Sequence, residues 1–178
     1  MLKKIIVLDR DGVINHDSDA FIKSVDEWQP IAGSLEAIAQ LYQAGWTVAV
    51  ATNQSGIKRG YYDRATLSAM HQKMQRLLAP LGGRVDWLSY SPYLGDCGSV
   101  CRKPLDGMLR AIAQRYHTSL VGCPMVGDTL ADVQAARGAG MRPHLVRTGK
   151  GERTLASWYE KDVPVFDNLA AFVQEWLR

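Results

Sequence analysis

A four-residue apolar run, Ile5-Ile6-Val7-Leu8, stops at an acid, and Asp9-Arg10-Asp11-Gly12 follows. An apolar run without alternation reads as a strand buried on both faces, the kind that parallel sheets use. The glycine allows the sharp turn that ends the strand. Asp9 and Asp11 therefore project from the carboxyl end of the first strand, the edge at which open α/β sheets bind ligands. Two carboxylates this close repel each other unless a cation or a shared proton intervenes. A hard, oxygen-loving ion such as Mg²⁺ suits such a pair. An Asx turn with a surface carboxylate is the other reading of the same residues.

Strand and helix patterns alternate along the remainder. Leu35, Ile38, Ala39, Leu41 and Tyr42 form an apolar face, with Ser34 as expected N-cap and Gly45 as stop. Trp46–Ala51 and Val85–Ser91 read as strands. Between them Asp63 caps an expected helix with Leu67, Met70, Met74, Leu77 and Leu78 on its inner face. Pro104 stands where the next helix is expected to begin. Further strands are expected at Pro124–Val126, near His144–Val146, and at Val165–Phe166. The last leads through Asn168 into a helix with Leu169, Phe172, Val173, Trp176 and Leu177 inward. This order predicts an α/β fold: a parallel sheet with helices on both faces.

Three more polar stretches belong to this scheme. Thr52-Asn53-Gln54-Ser55-Gly56 follows a strand, and its hydroxyls, amides and exposed N–H groups suit a phosphate. Arg102-Lys103 precedes Pro104 and offers two cations for a dianion. Gly127-Asp128-Thr129-Leu130-Ala131-Asp132 again places an acid after a buried strand, with Asp132 one helical turn on. Each has a plainer reading alone: a polar loop, a solvated basic turn, a helix cap. Together they converge on one rim of the sheet and supply a nucleophile, a second acid, a hydroxyl, a cation and a third carboxylate. Phosphoryl transfer needs that set.

Composition narrows the partners. The chain has 178 residues, and its net charge of +3 is too weak and dispersed to argue for nucleic acid. No apolar run approaches the roughly 20 residues that span a bilayer. Lys3 and Lys4 precede only a short apolar run, which reads as a strand and not a signal peptide. Cys97, Cys101 and Cys123 form no paired framework, so a reducing cytoplasm is expected. His16, His71, His117 and His144 are scattered; His71 is expected on a helix surface and outside the chemistry.

The order and spacing of these stretches resemble the haloacid dehalogenase superfamily of phosphatases over nearly the whole chain. Val7–Asn15, Ala51–Gly56, Cys101–Pro104 and Gly127-Asp128 are similar to the D-glycero-D-manno-heptose 1,7-bisphosphate phosphatase family, with histidinol-phosphate phosphatases as close relatives. The stretch from Asn15 through Lys23–Trp28 to Pro30 favours the heptose branch. The resemblance implies one Rossmann-like domain over residues 1–178 without a cap domain. It also implies a Mg²⁺-dependent phosphatase acting on a small sugar bisphosphate, on the route to ADP- or GDP-heptose for lipopolysaccharide or related glycans. Carried over by position, Asp9 is the nucleophile and Asp11 the general acid and base. Thr52 and Lys103 bind the transferring phosphoryl group. Asp9, Asp128 and the backbone carbonyl of Asp11 hold the metal. Asp17, Ser18, Asp19, Ala20, Asn53, Gln54, Ser55, Arg102 and Thr129 contact substrate. Only one turn, one helix and one strand fit between Asp11 and Thr52, so closure over a substrate is expected from loops.

Many members of that family carry a structural zinc, which is not expected here. Ser91, Tyr93 and Ser99 occupy three of the four ligand positions and only Cys101 remains, with Cys97 nearby. Three other readings are weighed and disfavoured: a phosphoacceptor signalling domain, because Ser89-Tyr90-Ser91 ends the third strand without an acid; a non-catalytic binding module, because all the chemical positions are present; and a phosphomutase, because no lid is expected to exclude water.

Overall fold

A computed structural model describes residues 4–178; Lys3 lies outside them. The elements run β1 (Ile5–Leu8), α1 (Ser34–Gln43), β2 (Thr47–Asn53), α2 (Arg64–Leu78), β3 (Trp87–Ser91), α3 (Gly107–Arg115), β4 (Pro124–Gly127), α4 (Leu130–Gly138), β5 (Arg142–Val146), α5 (Gly151–Ser157), β6 (Val165–Phe166) and α6 (Leu169–Trp176). The strands form one sheet in the order β3-β2-β1-β4-β5-β6, every pair parallel. No cap domain is present among the described residues.

The strand pleat sorts β1 between two cores. Ile6 and Leu8 face α1, α2 and α6, packing with Ile38, Met70, Met74 and Phe172. Ile5 and Val7 face α3 and α4, packing with Leu109, Ile112 and Ala135. Both faces are thus covered, as a parallel sheet requires. A smaller cluster of Val133, Leu145 and Val163 fills the space under α5.

Several local expectations change. Gly33, not Ser34, is the N-cap of α1; Ser34 is buried and its hydroxyl donates to the Val13 carbonyl at 2.8 Å. Leu77 and Leu177 stand 40% and 37% exposed, because Leu78 and Val173 take the inward places at their helix ends. Helix α3 begins at Gly107 instead of Pro104. The reason is tertiary: the Asn53 side chain binds both the N–H and the C=O of Lys103, each at 3.0 Å. That clamp ties the segment to β2 and keeps it out of a helix. Helix α5 was not foreseen. Asp63 caps α2 by accepting from Thr66 N at 2.8 Å, and Asn168 caps α6 the same way.

Candidate active site

Strands β2 and β3 lie to one side of β1, and β4 to β6 to the other. The chain reverses its direction of travel between β1 and β4, and a crevice opens outside their carboxyl ends. Asp9 leaves β1 there and Asp128 leaves β4. A cavity of about 540 Å³ sits over both, lined also by Asp11, Thr52, Lys103 and Lys150.

Asp9 is held on one oxygen. Its Oδ1 accepts from Arg10 N at 2.7 Å and from Lys103 Nζ at 2.9 Å. Lys103, itself buried, also reaches Asp132 Oδ1 at 2.6 Å. Asp132 Oδ2 accepts from the N–H groups of Asp128 and Thr129 and from the Thr129 hydroxyl. Asp132 is thereby saturated, and it acts as a brace between Lys103 and the start of α4. Asp128 Oδ2 accepts from Lys150 N at 2.8 Å. A Cβ on Gly12, whose φ is +83°, would overlap Asp128 Oδ2, so only glycine lets the two strand ends approach.

This donor set fits a divalent cation. Asp9, Asp128 and Asp132 bring carboxylate oxygens within 4.8 Å of one another. Against these three acids stands one buried ammonium, Lys103. Burial and this surplus negative charge weaken the acidity of two of them, Asp9 and Asp128. Burial, and then repulsion from Asp132, pushes Asp9 up to about 7; Lys103 pulls the other way. Burial and the Asp9 charge push Asp128 well above the usual carboxylate range. Burial opposes the charge of Lys103, but Asp132 and Asp9 outweigh it and keep the ammonium protonated. With Asp132 committed, Asp9 and Asp128 are the side chains that could hold an ion.

Asp11 is set apart from that cluster. Arg10 Nε and Nη2 donate to its Oδ1 at 3.0 and 2.8 Å, and Asn15 Nδ2 adds a third bond at 2.8 Å. Gln54 Nε2 donates to Oδ2 at 3.0 Å and also to Thr52 Oγ1 at 2.9 Å. The Tyr62 hydroxyl fixes the Gln54 amide by donating to Oε1 at 2.5 Å. Burial works to raise the Asp11 pKa, but the Arg10 charge and these hydrogen bonds hold it below the ordinary value.

The other sequence-predicted contacts divide. Asp17, Ser18, Asp19, Asn53, Gln54, Ser55, Arg102 and Thr129 all line the cavity. Ala20 does not; it sits in an exposed turn, its N–H on Ser18 Oγ and its carbonyl accepting from Lys23 Nζ. Arg102 donates to the Tyr93 carbonyl at 3.1 Å. Asp17 and Asp19 pair with Lys150 and Arg153 at 3.2 and 3.0 Å. Lys150, Arg153 and Tyr62 escaped the reading of the sequence. The signal for Lys150 was available: Thr148-Gly149-Lys150 stands just past the carboxyl end of β5, as Gln54-Ser55 stands just past that of β2. His71 is half-buried on α2 and does not line the cavity, but it touches a neighbour of Asp11. Its ring meets the Arg10 guanidinium at 3.2 Å, and burial together with the Arg10 charge pushes it down to about 3.

A HAD-hydrolase-like family model matches residues 100–172. The D-glycero-beta-D-manno-heptose-1,7-bisphosphate 7-phosphatase of Pseudomonas putida is 56% identical over 172 residues, covering 97% of this chain and 98% of that protein. This chain belongs to the heptose-bisphosphate 7-phosphatase family of HAD-like hydrolases. The family member from Pseudomonas aeruginosa is 53% identical over 178 residues, the full length of both. A solved structure of the Bordetella bronchiseptica D,D-heptose 1,7-bisphosphate phosphatase, complexed with magnesium and phosphate, superposes with a TM-score of 0.95 at 55% identity and 98% coverage of each chain. The cap-less parallel fold is thus a property this chain shares with its family.

Proposed function

We propose that this chain removes the 7-phosphate of D-glycero-β-D-manno-heptose 1,7-bisphosphate, leaving the heptose 1-phosphate and inorganic phosphate. The chain is a phosphoric monoester hydrolase. The observation that carries the substrate is full-length identity of 53% and more to phosphatases of that name, joined to the Asp9, Lys103 and Asp128 cluster at the sheet's reversal point.

Asp9, positioned by Arg10 N and Lys103 Nζ, attacks phosphorus through its carboxylate. The bond to the sugar oxygen breaks, and an aspartyl phosphate forms. Asp11 gives the leaving oxygen its proton. It lies ionised in the free site, and the incoming phosphate dianion raises its proton affinity enough to load it. Asp11 then takes a proton from water, the water attacks the same phosphorus, and phosphate and Asp9 separate. Lys103 and the Thr52 hydroxyl bind the phosphoryl oxygens through both steps. Mg²⁺, held by Asp9, Asp128 and the Asp11 carbonyl, would neutralise phosphate charge so that an anion can attack an anion. Arg102 and the Asp17–Asp19 loop hold the sugar and its second phosphate.

The loop from Pro92 to Lys103 needs no zinc in this reading. Cys101 Sγ bonds the Ser99 and Ser91 hydroxyls at 2.9 and 3.3 Å, and Cys97 Sγ donates to the Leu94 carbonyl. Those bonds support a loop closed by its own side chains. No helix is long and apolar enough to cross a membrane among the described residues. We place the enzyme in the cytoplasm, acting on a small molecule and on neither nucleic acid nor membrane, where its product feeds nucleotide-heptose synthesis. The three unpaired cysteines agree with a reducing compartment.

A phosphate-release screen tests the assignment, with both anomers of the heptose bisphosphate and histidinol phosphate as substrates. The β anomer should have the highest kcat/KM. Preference for histidinol phosphate would move the chain to the neighbouring family, and a long-lived phosphoprotein without turnover would make it a signalling domain.

A further inference from the structure

Arg10 is completely buried, although it carries a permanent charge and five N–H donors. Such a group needs a counter-ion and partners for its remaining hydrogens. Asp11 is the counter-ion, gripped through Nε and Nη2. On the far side Nη1 meets two residues of α2: Met70 Sδ at 3.7 Å, a weak acceptor, and His71 Nε2 at 3.2 Å. Arg10 only donates. His71 Nε2 is therefore an acceptor, and the ring proton lies on Nδ1.

We propose that His71 is a positioning residue for the reaction: its Nε2 fixes the Arg10 guanidinium, which fixes Oδ1 of Asp11 and leaves Oδ2 to exchange the proton. This rests on the reading of Asp11 as general acid and base. The geometry supports a relay and not mere packing. Oδ1 takes all three strong donors, two from Arg10 and one from Asn15, whereas Oδ2 takes only the Gln54 amide. The carboxyl is thus clamped at one oxygen and presented at the other. Without the imidazole, Nη1 keeps only a thioether, and the guanidinium turns to find another acceptor. Asp11 moves with it, away from the leaving oxygen.

His71 is also separable from the hydrophobic core. Helix α2 packs through Leu67, Met70, Met74 and Leu78. The His71 ring borders a groove of about 740 Å³ between α2 and the edge strand β3, on the other side of Arg10 from the catalytic cavity, which it does not line. Its effect on turnover must pass through Arg10.

The test compares His71→Phe, which keeps a ring without an acceptor, with His71→Gln, whose Oε1 falls near the position of Nε2. On the heptose bisphosphate, the Phe variant should lose about tenfold or more in kcat with KM within about twofold, since small misplacements of a reacting group cost about that much or more. The Gln variant should recover most of the loss. His71→Leu gives the same acceptor loss in less volume if the Phe variant melts early. Nitrogen-15 shifts of wild-type imidazoles provide a reading that needs no variant: His71 should carry its proton on Nδ1 at neutral pH. Phe and Leu variants within twofold of wild-type kcat, a Gln variant as slow as both, or an Nε2–H tautomer would each overturn the proposal. An Asp11→Asn variant run alongside separates the two levels: full activity there removes the role of Asp11 itself, whereas its inactivity leaves His71 to be judged alone.

Discussion

Lys103 shows how much one buried charge can organise. Its ammonium bridges Asp9 and Asp132, and through Asp132 it orders the backbone at Asp128. Replacing it with alanine leaves buried carboxylates without their cation. Lys103→Ala should lower kcat by about 10²–10³, the usual loss for one preorganised electrostatic donor. It should also lower stability by about 3–5 kcal/mol, as breaking a buried ion pair does. Steady-state kinetics and urea melts check both, and a variant within a few-fold of wild type would remove Lys103 from the phosphate site. Lys103 was legible as a cation near the strand-end acids because it sits in a short polar stretch of the same rim, and the structure puts its ammonium on Asp9. The sequence could not show the bridge to Asp132, which depends on α4 docking beside β4. Tyr62, Lys150 and Arg153 stayed hidden for a similar reason: each earns its place from a partner on a different element. Asp17 and Asp19 were legible as polar loop residues, but not as the anions that neutralise Lys150 and Arg153.

At the scale of elements, α2 is joined to the site through His71. In the folded chain His71 titrates near 3, and unfolded histidine near 6.5. Between those values the unfolded chain binds the extra proton, so this group's contribution to stability is full above about pH 6.5 and is lost as pH falls towards 3. Wild-type melting temperature should therefore fall more between pH 7 and pH 5 than that of His71→Gln, which has nothing to protonate. Parallel slopes would show that His71 is charged or solvated in the fold. The strands themselves were legible as unbroken apolar runs, and the caps at Asp63 and Asn168 as local chemistry. Where an expectation moved, tertiary contacts had overridden local preference. Pro104 suits a helix start, but Asn53 holds its neighbour elsewhere. Ser34 suits a cap, but its hydroxyl turns inward to Val13. Helix α5 is only seven residues long and starts on glycine, so periodicity had too few turns to reveal it.

For the whole molecule, topology does most of the functional work. A parallel sheet that reverses between β1 and β4 brings Asp9 and Asp128 together from positions far apart in the chain. The order of strand-end motifs was enough to foresee that convergence, since each motif had to emerge on the same rim. With no cap domain among the described residues, the walls over the cavity come from loops, and the Asp17–Asp19 loop is tied across it by Lys150 and Arg153. The central claim is hydrolysis through Asp9 beside a bound cation. Its most direct measurement is phosphate release from D-glycero-β-D-manno-heptose 1,7-bisphosphate in Mg²⁺, wild type against Asp9→Asn. The wild type should release one phosphate per substrate and leave the 1-phosphate, while a folded Asp9→Asn releases none. Release by Asp9→Asn at the wild-type rate, or an undiminished wild-type rate in excess chelator, would contradict the account.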